Sequence, residues 1–206
     1  MKVKIKICGM TRTADIKAAI DAGVDAIGFV FVPESPRCID TKKALKLAKL
    51  IPVEVELVGL FMDSPAATIH QHCQQIPLTA LQFHGAEDNE FCCQFGRPWV
   101  KTIAMGGARV GGFEFASWPD AYALLLDGHR AGEQGGQGLA YDWSMTPEIS
   151  QKIILAGGLN SDNVSAAIQQ VKPWAVDVSS GIEISPGCKD IRLIERFCNA
   201  VKASHD

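Results

Sequence analysis

Short runs of apolar, often β-branched residues alternate along the chain with stretches in which apolar residues recur every three or four positions. The first kind predicts strands over 3–7, 26–31, 55–61, 80–83, 99–103, 123–126, 152–155 and 175–178. The second predicts helices between them, several with start and stop signals. Thr13 is placed to cap a helix facing inward through Ile16, Ala19 and Ile20, with Gly23 as its stop. Asp40 or Thr41 opens the next, which has Ala44, Leu47, Ala48 and Ile51 on one face and Pro52 beyond it. Ser64-Pro65 reads as a cap followed by proline at the first helical position. Ser161 precedes Val164, Ala167, Ile168 and Val171, and Asp190 precedes Ile191, Ile194, Phe197 and Val201. Weaker helical signals cover 89–95, 111–118 and 142–150.

Strict strand-then-helix alternation implies a parallel sheet covered by helices. An open, doubly wound sheet usually has about five or six strands and a GxGxxG turn after the first. The first turn here is CGMTRTAD, which lacks that pattern. Eight βα-sized units without a composition break predict an α/β fold, one (β/α)8 TIM barrel over residues 1–206, at the compact end of that architecture.

Composition narrows the classes of function. The chain has 206 residues, 47% apolar and 21% charged, as an ordinary globular protein does. A net charge of -3 without a basic stripe argues against nucleic acid. No apolar run reaches the ~18 residues of a membrane span. The N-terminus lacks the apolar core of a signal peptide, so a cytoplasmic protein is expected. Seven cysteines without paired CxxC spacing read as free thiols rather than a zinc site. His70 and His72 lie two apart, do not share a helix face, and make no metal pair.

Barrel chemistry sits at the C-terminal strand ends and the loops that follow them. The first strand ends at Cys8-Gly9, the second runs into PESPR with Arg37, and the fourth ends at His84-Gly85. The sixth, ALLLD, ends on Asp127, and the next dozen residues from there, DGHRAGEQGGQG, hold five glycines and almost nothing apolar. A long segment of that kind reads as a lid, able to desolvate Asp127 and raise its pKa for work as an acid. Gly157-Gly158 after strand seven and Ser180-Gly181 after strand eight suit a phosphate held by backbone N–H groups. Those loops contain no Lys or Arg, so Lys189 further along is expected to matter little. The Arg37 guanidinium suits a carboxylate at another part of the ligand.

Taken together, KICGMT, GFVFVPESPR, VGLFMD, LQFHGAE, LLLD, GGQG followed by DW, ILAGGLNSDNV and VDVSSGIEISPGCKD resemble the phosphoribosylanthranilate isomerases of tryptophan biosynthesis. The resemblance runs from residue 6 to residue 190. It implies an Amadori rearrangement of N-(5'-phosphoribosyl)anthranilate, a small phosphoribosyl substrate, with no cofactor and no metal. It also implies Cys8 as general base, Asp127 as general acid, Arg37 as ligand of the anthranilate group and Asp177 near the sugar. The phosphate falls to Gly157, Gly158, Ser180 and Gly181. Cys8 would take the C2' proton, which requires a locally favoured thiolate, with Gly9 leaving room beside it. The GGQG segment carries Gln137 where the family more often has Thr or Ser, which reads as a changed contact. A monofunctional enzyme is expected because the sequence contains no synthase segment, and a monomer is expected rather than a homodimer. Two rival readings are a phosphosugar aldolase or decarboxylase using Lys101, and a barrel that only binds phosphorylated ligands.

Overall fold

The structure, a computed structural model, describes residues 2–106, 115–130, 138 and 140–204. Its strands are β1 (Lys4–Cys8), β2 (Ala26–Val30), β3 (Glu56–Phe61), β4 (Ala80–Phe83), β5 (Trp99–Gly106), β6 (Ala123–Arg130), β7 (Ile153–Leu155) and β8 (Ala175–Val178). They pair in parallel in chain order, and β1 meets β8, closing the expected eight-stranded barrel. Helices α1 (Thr13–Asp21), α2 (Thr41–Ala48), α3 (Ala66–Gln75), α4 (Asn89–Cys93), α5 (Val164–Val171) and α6 (Ile191–Ala203) accompany them.

Strand parity divides the core. Successive strand residues point to opposite faces. Ile5, Ile7, Leu124, Leu126 and Val176 pack outward with the helices in one large cluster. Val100, Ala123, Leu125, Ile154 and Ala175 fill the barrel interior. The helices are held mainly by that outer layer. In α6, Ile194, Phe197, Cys198 and Val201 are each 0% exposed, and Phe197→Ala would cost about 3–5 kcal/mol through lost burial and a cavity.

Helix starts differ in detail from the sequence reading. Asp40 and Asp190 accept the expected cap bonds from Lys43 and Arg192 N–H, and Asp88, not singled out from the sequence, caps α4 by accepting from Phe91 N–H. Arg12, Pro65 and Asn163 occupy the cap positions of α1, α3 and α5 without a side-chain cap bond, so Thr13, Ser64 and Ser161 are not caps. The Ser64 hydroxyl instead donates to Met62 O. The weak signals over 111–118 and 142–150 become single 3-10 turns, Phe115–Ser117 and Trp143–Met145, with residues 111–114 lying outside the described residues. Pro119 and Pro147 each follow the 3-10 turn by two residues and stop it from continuing as helix.

Strand β6 does not stop at the rim. It runs on with β5, pairing Ala104 with Asp127 and, past an irregularity, Gly106 with Arg130. The first residues of the expected lid are therefore strand, and Asp127 falls on the inward face with Leu125. Gln137 lies outside the described residues.

Candidate active site

A cleft of about 750 Å³ opens at the C-terminal mouth of the barrel. All eight residues singled out from the sequence line it: Cys8, Arg37, Asp127 and Asp177, with Gly157, Gly158, Ser180 and Gly181. They come from β1, β2, β6, β7 and β8 and the loops after them, as the barrel rule requires.

Cys8 is buried, 6% exposed, and stands one layer above Lys6 on the inward face of β1. Lys6 Nζ lies 3.0 Å from Asp177 Oδ1, and its charge also acts on the Cys8 sulfur. Burial pushes the thiol up from its ordinary value, and Lys6 and Lys189 pull it back only in part. The expectation of a locally favoured thiolate is thus corrected: desolvation outweighs the two ammonium groups. Burial likewise works against the Lys6 ammonium, but Asp177 and Cys8 more than offset it and raise its pKa. A second correction concerns the glycine beside the thiol. A Cβ on Gly9 would lie 2.4 Å from Arg37 Cδ, whereas one on Gly28 would lie 2.9 Å from the Cys8 sulfur. Gly9 makes way for Arg37; Gly28 in β2 makes way for Cys8.

Asp127 is 13% exposed at its side chain, and its Oδ1 accepts from His129 N–H at 3.2 Å with the ring Nδ1 at 3.3 Å. Burial alone would raise this carboxyl, but His129 and His84 reverse the sign and hold it below its usual range. The expected raised pKa is therefore corrected. His84 stacks on His129 with ring centroids 4.5 Å apart, and burial first, then His129, lowers it to about 4.

Arg37 is 8% exposed and already engaged. Its Nε and Nη2 donate to Glu183 Oε1 and Oε2 at 2.9 and 2.7 Å, a bidentate fork. Glu183 Oε1 also accepts from Lys189 Nζ at 2.8 Å and Gly187 N–H at 3.1 Å. Lys189, 1% exposed, donates further to Ser179 O at 3.0 Å and Ser179 Oγ at 3.2 Å. The Lys189 ammonium thus ties the Arg37 carboxylate partner to the residue before Ser180.

The two glycine loops press on each other. Gly157 and Gly158 have φ of 81° and 63°, conformations that favour glycine. A Cβ on Gly181 would fall 1.9 Å from Leu159 O, and one on Gly158 would fall 2.6 Å from Ala140 N. Backbone therefore lies bare where the two loops meet the cleft.

The comparisons with known proteins agree with one another. Residues 5–200 match the family model for N-(5'-phosphoribosyl)anthranilate (PRA) isomerase. The chain belongs to the N-(5'-phosphoribosyl)anthranilate isomerase family. The isomerase of Thiobacillus denitrificans is 44% identical over 205 residues, covering 99% of this chain and 100% of that one. The phosphoribosyl anthranilate isomerase crystal structure from Thermus thermophilus superposes with a TM-score of 0.88 at 32% identity, covering 99% of this chain and 100% of the other. A second isomerase structure, in complex with reduced 1-(o-carboxyphenylamino)-1-deoxyribulose 5-phosphate, gives a TM-score of 0.81 at 32% identity, covering 98% and 99% of the two chains.

Within this family frame, three site residues escaped the sequence reading. Lys6 sits in an alternating KVKIKIC run that reads as polar-out. In a barrel wrapped by helices the apolar residues face outward and Lys6 faces the interior. Gly28 had a usable signal, since a lone glycine inside a strand marks a close approach. Glu183 lay in the quoted DVSSGIE segment without a role. Lys101 has the opposite parity: its ammonium points away from the cleft to Glu87 Oε2 at 2.9 Å and to Gly85 O, so it offers no Schiff-base amine there. Among the described residues, one close group of metal-type donors occurs, His84, Asp127 and His129, within 4.8 Å of one another. Asp127 Oδ1 already accepts from the His129 backbone N–H, and the imidazole Nδ1 stands 3.3 Å from the same oxygen. All seven cysteines are free thiols, and His70 and His72 pack against different aromatic partners, Phe95 and Phe31. No described helix is long and apolar enough to cross a membrane.

Proposed function

We propose that Cys8 and Asp127 divide the family's rearrangement between them from opposite walls of the cleft. As a family member the chain is an isomerase of tryptophan biosynthesis, converting N-(5'-phosphoribosyl)anthranilate to 1-(2-carboxyphenylamino)-1-deoxyribulose 5-phosphate. Asp127 protonates the ring oxygen, opening the sugar to an iminium. Cys8, as thiolate, then takes the C2' proton to give the enolamine, which tautomerises to the ketose. Only protons move, so the rearrangement needs no electron carrier and no cofactor. The observation that carries this reading is one cleft lined by both an acid on β6 and a thiol on β1.

The substrate's ends are assigned by chemistry. Arg37 receives the anthranilate carboxylate, and the backbone at Gly157, Gly158, Ser180 and Gly181 receives the phosphate. Asp177, held by Lys6, lies between them near the sugar. The solved isomerase that holds the reduced product analogue supports a phosphoribosyl ligand for this cleft. We further infer a single-domain, cytoplasmic monomer with no nucleic-acid or membrane partner. The purified chain should consume phosphoribosylanthranilate in a fluorescence assay, and failure to do so would overturn the reading.

A further inference from the structure

The acid assigned above is an uneasy one. Proton donation needs the Asp127 carboxyl protonated while Cys8 is ionised. With ordinary values of about 3.9 for Asp and about 8.5 for Cys, only on the order of 1 molecule in 10⁴–10⁵ holds that combination between the two pKa values. Here the carboxyl lies lower and the thiol higher, which shrinks the fraction again. A group that carries a proton at neutral pH and touches the carboxylate would remove much of this deficit.

His129 is so placed. Its ring is 4% exposed, its Nδ1 lies 3.3 Å from Asp127 Oδ1, and its backbone N–H donates to the same oxygen at 3.2 Å. The β5–β6 register shifts between Asp127 and Arg130, so contact rather than strand alternation places the His129 ring: it lies beside Asp127, and the His84 ring covers it at 4.5 Å. Nδ1 has no well-formed hydrogen bond in this resting geometry. Among the described residues, His84 after β4 acts on Asp127 directly, Asp127 in turn acts on Asp177 on β8 and Tyr141 after β6, and Lys101 on β5 and Lys6 on β1 act on His84.

We propose that His129 is a positioning and proton-loading residue for the isomerisation, so that the general acid is an Asp127–His129 couple rather than Asp127 alone. The inference rests on the acid role proposed for Asp127. The imidazolium Nδ1–H passes its proton to Asp127 Oδ1, and the Asp127 O–H passes a proton to the ring oxygen as the C1'–O bond breaks. His129 is left neutral and Asp127 ionised. Cys8 gains the C2' proton, so the couple loses one proton and the thiolate gains one. Exchange of one proton with water at each group resets the site.

The test compares His129→Gln, His129→Ala and Asp127→Asn in pH-resolved steady-state assays, with titration by the reduced product analogue to verify an intact site. His129→Gln should lose about 10²-fold in kcat, the low end of a general-acid contribution, with KM little changed. The acid limb of its pH profile, set by the couple in this reversed protonation scheme, should move to lower pH. Added imidazole should restore part of the activity of His129→Ala, which a merely structural role would not do. If His129 only holds Asp127 ionised, its removal would raise kcat and move the limb upward, and that result overturns the proposal. Unchanged kcat and limb in His129→Gln, with Asp127→Asn inactive, overturns the couple while leaving Asp127 as the acid. An active Asp127→Asn overturns both.

Discussion

Lys6 and Asp177 form a buried ion pair at 3.0 Å, directly opposite one another in the β1–β8 register. Their side chains are only 6% and 9% exposed, and the pair stands one layer below Cys8. Removing one member of such a pair leaves an uncompensated buried charge.

Lys6→Met should therefore cost about 3–5 kcal/mol of stability, read from urea denaturation. It should also move Cys8 further from ionisation, because Lys6 is the strongest of the groups that favour the thiolate. The pH at which Cys8 titrates rises and the thiolate fraction at neutral pH falls, so turnover falls with it. Lys6→Met/Asp177→Asn should regain much of the stability but not the activity. A double variant with full activity would show that the pair has no part in the chemistry.

Cys8→Ala removes the thiol without disturbing a strand that is otherwise apolar outward. The expected loss in kcat is at least about 10²–10⁴-fold, with product binding retained in calorimetry. Near-normal kcat would assign the base elsewhere.

Arg37→Ala should weaken substrate binding roughly 10- to 150-fold, the cost of about 1.5–3 kcal/mol for a charge-assisted contact. Inorganic phosphate should bind almost as before. Lys189→Ala behaves differently, because it leaves the Glu183 carboxylate with one fewer cation and Ser179 O without its donor. A thermal melt should show it destabilised by about 3–5 kcal/mol. A melt like that of the parent chain would place Lys189 outside the supporting network.

Gly181→Val should abolish binding of the phosphorylated product. Its Cβ alone would stand 1.9 Å from Leu159 O, so one of the two loops must move. Tight calorimetric binding by this variant would put the phosphate in another part of the mouth.

His84, lowered to about 4 by burial first, makes the fold sensitive to acid. A histidine whose folded pKa is depressed binds its proton more readily when unfolded, so stability is fully present above about 6.5 and is lost as pH falls toward the folded value. The loss is on the order of 3 kcal/mol, and His84→Gln should abolish that part of it. Parallel denaturation curves at pH 7 and pH 5 would show it, and an unchanged pH response in His84→Gln would assign it to another group.

Much of this molecule was legible in one dimension. Eight apolar runs with helical stretches between them sufficed for the barrel, since burial of both strand faces imposes that pattern whatever the details. The strand-end rule placed Cys8, Arg37 and Asp127 in one cleft, because consecutive parallel strands all finish on the same rim, and the family resemblance added Asp177. Tertiary structure decided the electrostatics. Whether Cys8 is eased toward ionisation and whether Asp127 holds its proton depend on the balance of burial against Lys6, His84, His129 and Lys189, which lie 2 to 181 positions away along the chain. It also decided which glycine serves which neighbour, and that Arg37 is held by Glu183, 146 residues further on. These are distances between side chains brought together by closure of the barrel. Charge interactions and desolvation follow such distances, and a linear pattern carries only their residue types.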